Sequence, residues 1–269
     1  MADFSGSMIS DQKRLARGEQ WLFARSFLRA WYRSHRSNWN ILTLAGGSPI
    51  GEIEAIKELM PNARIVAVDR NADFAQAAKL AGATEGIHAE LSELISKETR
   101  TFEIVNLDLC CGASDETREI VRLSRRIVAR PGLMMLTFSY GRDVVEFFRQ
   151  RRLPADELLA AGVPENIAAR LAHIFGDRSG KILSVVLYQG NEMPMCSAIL
   201  PLLGKGGTGI FTDNAKCSFV KLQDGDFEIA VLHPDPSKLY DCPQDRIETL
   251  RRREIALKAV STRRTKAAA

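Results

Sequence analysis

Short apolar runs alternate with helical patterns along the middle of this chain. The runs predict five strands, at 41–44, 64–68, 86–89, 102–109 and 133–138. The segments between them predict helices at 52–60, 73–80 and 115–129. Such alternation is typical of a parallel sheet covered by helices on both faces, and the near-continuous apolar strands agree because both of their faces would be buried. The predicted fold class is therefore α/β, with a doubly wound, mostly parallel sheet.

The pattern changes beyond residue 140. The segment 143–176 is predicted to be helical, and a basic helix is predicted at 244–266. Between them, turn signals at Gly190-Asn191 and Asp224-Gly225 predict two antiparallel hairpins. Their strands are 181–188 with 195–200, and 217–222 with 227–232.

The N-terminal segment 11–36 is predicted to form one amphipathic helix. Its apolar face carries Phe23, Phe27, Ala30 and Trp31, which follow helical spacing. Its opposite face carries an arginine stripe made of Arg25, Arg29, Arg33 and Arg36. The stripe is either a phosphate-facing surface or an ordinary solvated face.

Charge and composition narrow the class of protein. The chain has 269 residues and a net charge of +4, and its basic residues concentrate at the two ends. Basic ends on an acidic body are compatible with a polyanion such as nucleic acid as a partner. No apolar run is long enough to span a membrane, and the N-terminus does not resemble a secretory signal. The five cysteines form no CxxC pair, so we expect no metal centre and a cytoplasmic, reducing compartment.

A glycine turn and an acidic residue predict a nucleoside-binding crevice. The turn follows the first strand, and Asp69 ends the second strand 22 residues after Gly47. Such a turn lets a ligand approach the backbone, and an acid at this distance can accept hydrogen bonds from ribose hydroxyls. A helix N-cap is the alternative role for Asp69. The turn lacks the GxGxxG of dinucleotide folds, and the segment 204–209 lacks the closing Lys-Ser or Lys-Thr of a phosphate loop.

The order of these parts resembles the class I S-adenosylmethionine-dependent methyltransferases over about residues 39–203. The resemblance rests on LAGGSPIG, VAVD, HAELSEL and NLDLCCG, and it implies a seven-stranded sheet that ends in an antiparallel pair. It implies that Ala45, Gly46 and Gly47 hold the methionine part of the cofactor. It implies further that Asp69 binds ribose, Arg70 flanks the adenine, Glu90 contacts the adenine amino group and Asp108 lies beside the transferred methyl. This chain departs from the family at Thr43, where the first strand usually carries an acid, and at Ala45, which replaces the first glycine.

Three residues near the ends of the fourth and fifth strands are catalytic candidates. Asp108 could orient the acceptor or accept its proton, or it could bond to the following backbone turn. Cys111 matches loosely the cysteine of RNA cytosine-5 methyltransferases, where a thiolate attacks the pyrimidine ring. Its alternative role is to pack the strand end. Tyr140 could stack on a planar acceptor or cap the core.

The resulting hypothesis is a methyltransferase with an unidentified acceptor, nucleic acid being favoured over a small molecule by the basic ends and the arginine stripe. A catalytically degenerate binding subunit of the same fold is the alternative, because of the departures at Thr43 and Ala45. We expect three parts in the chain. They are a basic helical extension at 1–38, a cofactor-binding domain at 39–203 with a helical insertion at 143–180, and a hairpin with the basic C-terminal helix at 204–269, packed on the same domain.

Overall fold

The computed structural model describes residues 11–32, 38–46, 49–109, 111–140, 156–160, 162–176, 178, 182–190, 193–202, 218–224 and 227–233. The strands of this part are β1 (Asn40–Leu44), β2 (Arg64–Asp69), β3 (Glu85–His88), β4 (Phe102–Asp108), β5 (Val128–Ser139), β6 (Ser184–Gln189), β7 (Pro194–Leu202), β8 (Ser218–Asp224) and β9 (Phe227–His233). The helices are α1 (Asp11–Tyr32), α2 (Pro49–Leu59), α3 (Ala72–Leu80), α4 (Leu91–Lys97), α5 (Asp115–Ser124), α6 (Asp156–Ala160) and α7 (Glu165–Phe175). The predicted C-terminal helix at 244–266 lies outside the described residues.

All nine described strands form one mixed sheet in the order β3-β2-β1-β4-β5-β7-β6-β9-β8. Strands β1 to β5 pair in parallel, and β7 runs antiparallel between β5 and β6. The order 3-2-1-4-5-7-6 with a reversed β7 is the arrangement of the class I methyltransferase fold. The predicted doubly wound sheet and its antiparallel terminal pair are confirmed.

The second hairpin extends this sheet from the seven predicted strands to nine. Strand β9 pairs with β6, and β8 pairs with β9, in both cases antiparallel. Without the hairpin, β6 would be an edge strand with a row of unpaired backbone groups. The sequence predicted the hairpin but could not show which strand it joins.

Two buried layers cover the sheet. On one face, Leu42, Val66 and Val105 pack with residues of α4, α5, α6 and α7. On the other face, neighbouring residues of the same strands, such as Ile41 and Ile104, pack with α1, α2 and α3. Each strand therefore buries both faces, as its near-continuous apolar sequence predicts.

Burial of Arg25 removes one residue from the surface that the arginine stripe was predicted to form. Helix α1 contacts α2, β5, β6 and β9 and is buried around most of its circumference between Ala16 and Leu28. Arg25 is only 6% exposed and Arg29 is half-buried, so neither forms an open phosphate-facing face or an ordinary solvated one. The long aliphatic stems of arginine allow this burial. Arg33 and Arg36 lie outside the described residues.

Close packing of α3 on β3 depends on Gly86. A Cβ at this position would overlap the backbone carbonyl oxygen of Ala75 and crowd Lys79. We expect Gly86→Ala to destabilise the protein by about 1–3 kcal/mol, because helix and strand must separate to admit the methyl group. Gly112→Ala is the matched control, since nothing lies within 4 Å of a Cβ there. Urea denaturation of both variants checks this, and equal midpoints would contradict it.

No helix in the described part of the chain is both long and apolar enough to cross a membrane. Nor do the described side chains include a group of three or more His, Cys, Asp or Glu residues that could hold a metal ion.

Candidate functional site

The candidate site lies where the strand order reverses, between β1 and β4. From β1 the chain proceeds outward through β2 and β3, then returns to build β4 and β5 on the other side. In open α/β sheets, ligands bind at such a point, outside the carboxyl ends of the strands. Here these ends carry Ala45 and Gly46 after β1, Asp69 on β2 and Asp108 on β4.

Asp69 is bonded to the glycine turn across the β1–β2 pair. Its Oδ2 accepts a hydrogen bond from the Gly46 amide at 3.0 Å, and its Oδ1 accepts one from the Asn71 amide at 2.8 Å. Gly46 has a φ of +62°, a conformation that glycine adopts without strain. A carboxylate can accept about four hydrogen bonds, so this half-buried group retains acceptor capacity toward a ligand. Gly47, predicted to share the turn, lies outside the described residues.

The alternative role of Asp69 as a helix cap is wrong. The N-cap of α3 is Asn71, whose Oδ1 accepts a hydrogen bond from the Asp73 amide at 2.9 Å. Asp69 instead supports the turn before the cap. Its carboxylate therefore stands between the glycine turn and the start of α3, which is the position predicted for a ribose-binding acid.

Apolar residues at the carboxyl ends of β3 and β4 leave part of their surface open to solvent. Ile87, Leu91 and Leu109 are only partly buried, and they pack on the core at the carboxyl ends of β3 and β4. Glu90 is exposed and starts α4 without a side-chain bond to a helix amide. The Arg70 side chain is exposed, and its carbonyl oxygen lies 3.0 Å from His88 Nε2. These residues offer apolar surface near the ends of β3 and β4, and Glu90 offers an exposed carboxylate.

Asp108, at the end of β4, is held by two cations of α1. The Lys13 Nζ atom lies 3.1 Å from Asp108 Oδ2, and the Arg17 guanidinium contacts the same oxygen. The side chains of Asp108 and Arg17 are only 10% and 4% exposed, whereas that of Lys13 is 26% exposed. With two cations beside it, we expect the carboxylate to remain charged.

Arg17 also reaches a buried polar cluster beneath α1, which we call the Glu52 cluster: Glu52, Asn106, Thr43 and Trp21. Glu52 Oε1 accepts hydrogen bonds from Asn106 Nδ2 at 2.9 Å and from Trp21 Nε1 at 3.2 Å. Asn106 Nδ2 lies 3.0 Å from Thr43 Oγ1, and Arg17 Nε lies 3.7 Å from Glu52 Oε2. The cluster connects α1, α2, β1 and β4 directly under the switch point.

Thr137 of β5 and Ser197 of β7 extend the buried polar residues of the Glu52 cluster across the sheet into a polar layer. Their hydroxyl groups are hydrogen bonded to each other, and Ser197 Oγ donates to Gln20 Oε1 of α1 at 2.8 Å. Sequence reasoning missed this layer and the Glu52 cluster. A signal was present, because each of four apolar strands carries a buried polar residue near its middle or carboxyl end. These residues are Thr43, Asn106, Thr137 and Ser197.

The two other catalytic candidates lie at the same end of the sheet. Cys111 is exposed, and its Sγ lies 3.3 Å from Thr117 Oγ1, its hydrogen-bond partner among the described residues. Tyr140 is half-buried, and its amide donates to the Pro194 carbonyl oxygen at 3.0 Å. Burial, with a smaller contribution from the nearby Cys196 thiol, raises the pKa of the Tyr140 hydroxyl. This phenol is therefore neutral at physiological pH and is suited to a wall or stacking role.

Comparisons with known proteins give only distant structural likenesses. No protein-family model matches the chain, and no curated protein matches it. Solved structures with a similar chain fold include the plantazolicin methyltransferase BpumL in complex with SAH (9% identity, 70% of this chain, 85% of that one, TM-score 0.42). They also include a probable spermidine synthase from Corynebacterium glutamicum (14%, 80% and 75%, 0.46) and an O-methyltransferase from Bacillus cereus (10%, 67% and 80%, 0.37). One fold can serve many reactions, so the chemistry of this chain belongs to the residues at its switch point.

Proposed function

We propose that this chain is an S-adenosylmethionine-dependent methyltransferase. The observation that carries the proposal is the Asp69 carboxylate, bonded to the Gly46 turn at the switch point of a class I methyltransferase sheet. The partly buried apolar residues Ile87, Leu91 and Leu109 and the exposed Glu90 carboxylate support the binding of an adenine ring and its amino group. The residues present therefore fit the cofactor.

Each part of the site has an assigned role in this proposal. The backbone of Ala45, Gly46 and Gly47 holds the methionine part, and Asp69 accepts hydrogen bonds from the ribose hydroxyls. Glu90 accepts from the adenine amino group, and Arg70 flanks the ring. When bound, S-adenosylmethionine supplies a methyl group that its sulfonium already activates, so the protein contributes mainly alignment and exclusion of water.

Asp108 and Tyr140 shape the acceptor side. The two cations beside Asp108 make it suited to orient an acceptor through hydrogen bonds rather than to take up its proton. Tyr140, with its neutral phenol, can stack on a planar acceptor. Cys111 has a hydroxyl partner and no described cation at its thiol, which favours the packing role over the nucleophile.

Nucleic acid is the first acceptor class to test. Its support is the basic character of both chain ends, most of all the segment 244–266. The burial of Arg25 removes one of the contacts that the arginine stripe was predicted to make. Binding of RNA or DNA that weakens steeply with added salt would support this class, and indifference to both would favour a small acceptor.

Calorimetry of the wild-type protein tests the central proposal. We expect S-adenosylmethionine and S-adenosylhomocysteine to bind with micromolar Kd values and one site per chain, because the turn and Asp69 are already in place. Isotope-labelled S-adenosylmethionine then reports transfer to RNA, DNA or a metabolite mixture. A wild-type protein that binds neither compound contradicts the proposal.

A catalytically degenerate binding subunit is the second candidate. It is favoured by Thr43, which stands where an acid is usual, and by the pairing of Asp108 with cations of its own chain. Cofactor binding without methyl transfer to any acceptor would favour this candidate over the enzyme.

A further inference from the structure

We propose that Lys13 and Arg17 of α1 set the electrostatic balance at the methyl-transfer end of the site, by compensating Asp108, and so control the preference for the charged cofactor over its neutral product. This inference rests on the proposed function. It gives the N-terminal helix a role at the cofactor, whereas the sequence predicted cofactor contacts only within residues 39–203.

Asp108 lies close to the place where the cofactor's sulfonium would bind. Strands β2 and β4 flank β1, and neighbouring strands lie about 4.8 Å apart, so the ends of β2 and β4 are separated by roughly 10 Å. A ribose bound at Asp69 on β2 is joined to the sulfonium by a single methylene group. The sulfonium of a cofactor bound in this way would lie within roughly 10 Å of the end of β4, and so within electrostatic range of Asp108.

Solvent screens the charges of Asp108 and Arg17 only weakly. The Asp108 and Arg17 side chains are almost fully removed from solvent, and charges in such surroundings interact more strongly than exposed ones. Arg17 also lies 3.7 Å from Glu52, the second buried carboxylate here. The four charged side chains, Lys13, Arg17, Glu52 and Asp108, sum to zero. The Asp108 carboxylate therefore lies near the methyl-transfer end of the site, but the four charged side chains together carry no net charge.

The balance has a chemical purpose. An uncompensated carboxylate beside the sulfonium would stabilise the bound ground state, in which the positive charge is fully developed. Only interactions that favour the transition state over the ground state accelerate a reaction. Compensation by α1 therefore prevents overly tight binding of the charged cofactor.

The ratio of two dissociation constants isolates this effect. S-adenosylmethionine and S-adenosylhomocysteine share the adenosine and amino acid groups and differ by the methyl group and its positive charge. Calorimetry gives Kd for both compounds with Lys13→Met, Arg17→Met, Asp108→Asn and the control Lys79→Met. Lys79 is an exposed lysine at the far end of α3, so the control removes the same charge away from the site.

We expect loss of either α1 cation to favour S-adenosylmethionine over S-adenosylhomocysteine by roughly three- to tenfold relative to wild type. Asp108→Asn shifts the ratio in the opposite direction, and Lys79→Met leaves it unchanged. Lys13 is partly exposed, so Lys13→Met decides the matter if Arg17→Met fails to fold.

The outcomes separate two kinds of failure. If wild-type protein binds both compounds and the α1 variants change both affinities by the same factor, Lys13 and Arg17 are structural and the inference is overturned alone. If wild-type protein binds neither compound, the proposed function falls and takes the inference with it.

Discussion

Asp69→Ala is expected to weaken S-adenosylmethionine binding about a hundredfold. The carboxylate supplies two ribose hydrogen bonds in the proposed site, and bonds to a charged acceptor contribute about 1.5–3 kcal/mol each. The substitution also frees the Gly46 amide, which now donates to Asp69 Oδ2. A loss of about 3 kcal/mol corresponds to a factor of about 100 in Kd, which calorimetry measures directly.

Two further variants define the result. Asp73→Ala removes a neighbouring exposed carboxylate but keeps the backbone amide that donates a hydrogen bond to Asn71 Oδ1. The affinity of this variant for S-adenosylmethionine should therefore match that of the wild type. Asp69→Asn keeps one carbonyl oxygen and should fall between wild type and alanine. An Asp69→Ala protein that binds within twofold of wild type would exclude Asp69 from the site.

Arg17→Met is expected to lower the free energy of unfolding by about 3–5 kcal/mol. The substitution leaves Glu52 and Asp108 without a buried cation that both now contact, and breaking a buried ion pair from one side costs about this much. For a chain of this size, the melting temperature should fall by roughly 10 °C. Thermal unfolding followed by circular dichroism measures the change.

A double-variant cycle shows whether the cost comes from the stranded carboxylate. Adding Glu52→Gln to Arg17→Met removes one uncompensated charge, so the double variant should lose less stability than the two single variants added together. Glu54→Gln on the same helix is the control, because Glu54 is exposed, and its effect should stay within about 0.5 kcal/mol. Additive losses would show that Arg17 and Glu52 do not interact.

The sheet was predictable because most of its strands are continuous apolar runs. Residues 65–68 are apolar on both faces and are followed by Asp69, and the observed β2 runs from Arg64 to Asp69. The glycine turn and Asp69 were found together because their spacing reflects one β–α–β unit. Pairing partners of the last hairpin were not predictable, since antiparallel strands of similar composition can join either edge of a sheet.

The buried side of α1 was not predictable from charge alone. Arginine in a helix usually marks a solvated face, yet Arg17 and Arg25 are buried here. Arg17 is buried because it contacts the carboxylates of Glu52 and Asp108. These residues lie 35 or more positions away in the chain. Such ion pairs depend on tertiary packing, so the pattern of residues along one helix does not predict them.

Helix α1 has consequences for how the protein is made. Its hydrogen bond from Ser197 to Gln20 joins residues 177 positions apart, so its final partners leave the ribosome long after the helix itself. At about 5–20 residues per second, this interval is roughly ten to thirty-five seconds. During that time the buried face of α1, with Trp21 and Phe27, has no complete sheet to cover it. Chaperone binding to nascent chains should therefore concentrate on this helix and end only after β9, the last strand that contacts it among the described residues, has emerged.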